Sequence, residues 1–142
     1  MRSEVEGVGQ KGTVMSENVN TVETELLRLT AERLNECGEL FANVTFGRLG
    51  KEGITLQLCG GEDETRYLDG GRLRVMPLLF LAKCNDQRKA MDTLYRIPDI
   101  LEQKPPEGVL SVRVTSLPEL VDRGEDSVIY EAQCELLVYK TQ

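Results

Sequence analysis

The chain has 142 residues, 40% hydrophobic and 29% charged, with a formal net charge of -7 and neither histidine nor tryptophan. That length makes about one domain with a substantial core, and no apolar run approaches the roughly 20 residues of a membrane span. Its 17 basic residues are scattered among 24 acidic ones, which disfavours sequence-specific nucleic-acid binding, and the lack of histidine removes every Ser-His, Cys-His and His-metal arrangement.

Residues 1–16 hold Gly7, Gly9 and Gly12 among small and polar residues without periodicity. They read as a flexible arm ahead of a domain spanning 17–142. No apolar signal segment follows Met1, so export is not expected and the chain is placed in the cytosol. A first helix is expected to begin near Asn20, with Glu23 three residues on as in a capping box. Val19, Val22, Leu26 and Leu29 form its apolar stripe, joined by Leu27 and Leu34, and Gly38 stops it.

Val44-Thr45-Phe46 and Ile54–Leu58 alternate at period two and are expected as strands with one buried face each. Cys59-Gly60-Gly61-Glu62-Asp63-Glu64 reads as a glycine turn and a solvated acidic loop, without the ligand spacing of a calcium site. Asp69-Gly70-Gly71 supplies the positive-φ positions of a tight hairpin turn, which pairs Arg66–Leu68 with Arg72–Lys83. Arg72-Leu73-Arg74-Val75 alternates, so the two arginines share one face, read as solvated or as bridging subunits. Leu78–Ala82 is continuously apolar, as in a strand covered on both faces, and Pro77 marks the change. The distal end of the hairpin is expected to project from the domain.

A second helix is expected from Asp86 or Gln87 to Glu102, burying Ala90, Met91, Leu94, Ile97 and Leu101, with Pro98 kinking or dividing it. After the break at Lys104-Pro105-Pro106-Glu107-Gly108 come strands over Val109–Leu117 and Val128–Tyr139. In the latter, Val128, Tyr130, Ala132, Cys134, Leu136 and Val138 point one way. The loop between these strands exposes Leu120 and Val121 amid charge, which suggests an interface. Cys37, Cys59, Cys84 and Cys134 lie 22, 25 and 50 residues apart. That excludes a short C-x-x-C site, and they read as reduced, isolated thiols.

The expected fold is therefore α+β, a single domain with a mixed or antiparallel sheet, a long projecting β-hairpin and two helices packed on one face. No catalytic residue, cofactor or metal site is expected. Residues 67–94 carry the strongest resemblance to a known family. The Tyr67-Leu68-Asp69-Gly70-Gly71 turn enters the apolar strand through Met76-Pro77-Leu78, and the helix opens Asn85-Asp86-Gln87…Ala90-Met91-Asp92-Thr93-Leu94. This resembles the minor capsid or tail-terminator proteins of long-tailed phages and prophages.

The resemblance implies a hexameric ring that docks on the finished tail tube, stops its polymerisation and meets the head connector. The implied partners are further copies of the chain, the tube protein and neck proteins, with DNA passing through the lumen and no membrane. The implied location is the virion neck, and the host cytoplasm during assembly. Asp69, Gly70, Gly71, Arg72, Arg74, Leu120 and Val121 are the expected contact residues.

Two other readings stand beside this one. A carboxylate-dependent nuclease or hydrolase would use Glu62, Asp63, Glu64, Asp69 and Asp86, but these acids lie on turns and caps. A monomeric adaptor would bind through a sheet edge, and a head-completion or connector protein of the same neck is a close neighbour.

Overall fold

The computed structural model describes residues 21–60, 62–66 and 71–140. The expected arm over 1–16, and Asp69 and Gly70 of the expected turn, lie outside the described residues. In chain order the elements are α1 (Val22–Cys37), β1 (Val44–Thr45), β2 (Gly53–Leu58), β3 (Glu62–Arg66), β4 (Arg72–Cys84), α2 (Gln87–Gln103), β5 (Val109–Arg123) and β6 (Val128–Lys140). The fold is α+β, as expected.

Among the described residues six strands form one mixed sheet in the order β1-β2-β4-β6-β5, with β3 beside the first half of β4. Of these strands only β1 and β2 run parallel. The central pair, β4 and β6, stays in register from Arg72 opposite Lys140 to Cys84 opposite Val128. Along both strands alternate side chains point to one face. Met76, Leu78, Phe80, Ala82 and Cys84 of β4 are buried there, beside Tyr130, Ala132, Cys134, Leu136 and Val138 of β6.

The helices cover this face. In α2, Ala90, Leu94, Ile97 and Leu101 recur at helical spacing and are almost fully buried. Each of the leucine and isoleucine side chains contributes about 1.5–3 kcal/mol of burial, a size of effect that orients the helix. The helix runs undivided through Pro98, and Asp86 caps its start by accepting from the Arg88 N–H at 3.0 Å.

Thr21, not Asn20, caps α1. Its hydroxyl accepts from the Thr24 N–H at 3.2 Å while Thr24 Oγ1 accepts from the Thr21 N–H at 3.1 Å. Gly38 ends the helix at φ 68°, the left-handed position that glycine suits. Of the expected stripe Leu26 and Leu34 are buried, joined by Thr30 and Ala31, while Leu27 and Leu29 are half-buried, Val22 is exposed and Val19 lies outside the described residues. Thr30 satisfies its buried hydroxyl by donating to the Leu26 carbonyl at 2.7 Å. Asn35 ties α1 to β1, donating to the Val44 carbonyl and accepting from the Val44 N–H.

Several local expectations change. In β2, Ile54, Thr55 and Leu56 are buried in succession instead of alternating. Glu62-Asp63-Glu64 is not a loop, because its backbone pairs with Arg74 and Val75 as β3. The hairpin arm is therefore not free, since β3 flanks it on one side and β6 on the other. Leu78–Ala82 is covered on one face only. Leu79 and Leu81 remain half-buried with Leu73, Val75 and Pro77, on the face opposite the fully buried residues.

Candidate functional site

The contact residues expected from sequence fall at two separate ends of the sheet. Arg74 is opposite Val138 and Leu120 is opposite Tyr130, eight positions apart on β6. At about 3.3 Å per residue this separates them by roughly 26 Å along the strand.

At the first end, Arg72 and Arg74 share the parity of Met76 and Leu78, so they turn toward the helices and not toward solvent. This corrects the solvated reading. The Arg74 guanidinium pairs with the Glu23 carboxylate in the first turn of α1, and the two side chains are only 23% and 17% exposed. Arg72 is half-buried as well. A carboxylate in the first turn also meets the positive end of the helix dipole, so Glu23 is favoured there twice. Gly71 is buried beneath Tyr139, and a Cβ at that position would collide with the Tyr139 hydroxyl. This end is a tie between sheet and helix.

Beside it a groove of about 720 Å³ runs along Val22, Glu25, Leu26, Leu29, Gly108 and Tyr139. Val22 and Leu29, read from sequence as part of the apolar stripe, line it. Arg28 pairs with both Glu25 and Glu32 on the adjoining helix surface, and its hydrogen bond holds the Glu25 carboxyl below the usual carboxylate range.

The other end is apolar and open. Strand β5 continues through Pro118 to Arg123, so Leu120 and Val121 belong to a strand and not to a loop. Four register irregularities against β6 absorb its extra residues. They also break its in-and-out alternation, which is why Leu110, Val114, Leu117, Leu120 and Val121 are all exposed. β5 ends the strand order, and its outer edge is unpaired among the described residues.

Between β5 and α2 lies a hollow of about 190 Å³ lined by Tyr95, Pro98, Val114, Leu117 and Cys134. Burial pushes the Cys134 thiol up to about 12, with the neighbouring Glu135 carboxylate adding to the shift. Cys134 therefore stays protonated and is a poor nucleophile. The four cysteines are free thiols, of which Cys59 is exposed. Among the described residues no three Cys, Asp or Glu side chains converge as metal ligands. The carboxylate of Asp86 is engaged as a helix cap.

Sequence reasoning missed the inward turn of Arg72 and Arg74 and the full length of β5. The first has no local signal, because Leu78–Ala82 is apolar throughout and does not mark which parity faces the core. The second is hidden by Pro118 and the charges around it, which read as a loop. The chain matches no known protein family and no curated protein.

Proposed function

We propose that this chain is a structural virion protein of a long-tailed phage that caps the tail tube as a hexameric ring. The ring ends tube polymerisation and forms the joint with the head. Its partners are further copies of itself, the tube protein and neck proteins, and DNA passes through its lumen. It acts in the host cytoplasm during assembly and then resides in the virion neck.

The observation that supports this reading is the long β5 strand, unpaired at its edge and studded with exposed apolar side chains. A monomer rarely leaves such an edge and such side chains together in water, because both invite association. The sheet face bearing Leu73, Val75, Leu79 and Leu81 adds a second incompletely covered surface. The described part of the stretch that carries the family resemblance, residues 71–94, contains β4 and the start of α2. A ring follows from any contact between two different patches whose rotation sums to a full turn.

The test is negative-stain imaging of the purified protein mixed with tail tubes that lack a terminator. Rings seated at tube ends, with tube length then fixed, are the expected result. Tubes that remain bare and keep growing would overturn the reading, and binding elsewhere in the neck would favour a connector role.

A further inference from the structure

The edge of β5 is self-complementary, and we propose that it pairs antiparallel with the β5 edge of a second copy about a two-fold axis through Ser116. Arg113 and Glu119 lie three residues on either side of Ser116. Pairing about that axis sets Arg113 of each copy opposite Glu119 of the other. The faces agree: Arg113 is opposite Glu135 and Glu119 is opposite Glu131, both on the sheet face away from the helices. Val112 and Leu120 become partners on the helix-bearing face, where they sit opposite Leu136 and Tyr130. Cross-strand pairs must share a face to touch, and these do.

Charge supplies the second argument. Glu119 stands directly across from Glu131, a like-charge pair that disfavours the strand pairing it sits in. Neither carboxylate has an ion-pair partner among the described residues. The Arg113 side chain is 74% exposed and is held only from one side, by Glu135. In the two-fold pair each Arg113 reaches the Glu119–Glu131 pair of the other copy, and the repulsion is relieved twice.

Pro118 lacks a donor and interrupts the new ladder near its centre. The contact therefore consists of two equivalent blocks, residues 109–113 of one copy against 119–123 of the other. This isologous contact cannot by itself close a ring. It describes the free subunit, and a capping contact through the same edge would replace it.

Sedimentation equilibrium at low salt, with circular dichroism to check folding, tests the pairing in four proteins: the parent, Arg113→Glu, Glu119→Arg and the double exchange. The parent is expected as a dimer. Each single reversal acts at two symmetric places and should raise the dissociation constant about tenfold or more. The double exchange restores opposite charges and should recover most of the affinity. Val121→Lys, at an exposed position, gives an independent disruption that leaves both charges in place. A monomeric parent, a higher oligomer unmoved by these changes, or a double exchange as weak as the single reversals would each overturn the proposal.

Discussion

Replacing Arg74 by Glu is the sharpest probe of how the sheet and α1 are joined. At about 4 Å and an effective dielectric of 20, opposite unit charges attract by about 4 kcal/mol, most of which is offset by desolvation and lost side-chain freedom. Fully exposed pairs retain about 0–1 kcal/mol, whereas removing one partner of a buried pair costs about 3–5 kcal/mol. With side chains 23% and 17% exposed, the Arg74–Glu23 pair falls between, and Arg74→Ala should cost about 1–2 kcal/mol. Arg74→Glu adds repulsion between two half-buried carboxylates, for a total of about 2–3 kcal/mol. In a domain of this size the melting temperature should fall by about 3–5 °C per kcal/mol. Urea unfolding followed by circular dichroism measures it, and Glu23→Gln combined with Arg74→Ala closes a double-mutant cycle. If Arg74→Glu lies within about 0.5 kcal/mol of the parent, as surface changes do, the arginine is solvated and the inward orientation is wrong.

Leu136→Ala, at a fully buried position on the central strand, should cost about 3–5 kcal/mol in the same unfolding assay. Leu120→Ser with Val121→Ser should leave stability within about 0.5 kcal/mol, since both side chains are exposed, while lowering occupancy of tube ends in micrographs. Cys134 makes stability fall at alkaline pH. Its native thiol titrates at about 12 against an ordinary value near 9, so between those values the unfolded chain ionises first. The contribution is full below pH 9 and declines by up to about 1.4 kcal/mol per pH unit above it. Parent and Cys134→Ala unfolding curves should therefore converge as pH rises from 8 to 11.

Where one face is wet and one is dry, the sequence was readable directly. The in-and-out order of β6, the Ala90–Leu94–Ile97–Leu101 stripe of α2 and the glycine stop of α1 all emerge from periodicity alone. The face of Arg72 and Arg74 is not legible in the sequence, because Leu78–Ala82 carries no polar residue to mark the outer face and parity is not fixed locally. The strand's outer leucines are half-buried, a state that composition does not distinguish from a two-sided core. The far half of β5 is not legible because Pro118 and the charges around it signal a loop. The register against β6 tolerates them only by bulging. Thr21 displaced Asn20 as cap because its partner Thr24 has a hydroxyl that can both donate and accept, whereas the capping-box pattern favours Glu or Gln at that place.

The separation of the two ends of the sheet bears on how the chain would assemble. A head-to-tail ring needs two different patches on each subunit, and the ends holding Arg74 and Leu120 are chemically unlike. Arg74 already has its counter-ion in Glu23, so recruiting it to a neighbour would break one half-buried pair to make another, with little net gain. Leu120 and Val121 have no such internal claim, and burying their apolar surface is favourable against any dry partner. Contacts between subunits or with the tube should therefore draw their affinity from β5, with the arginine end fixing the orientation of α1. The same side chains would be covered in the two-fold pair, so the pairing and any capping contact through β5 exclude one another. A free subunit whose sticky edge is covered by a weak, charge-set contact is protected from aggregation and still able to exchange that contact for a larger one.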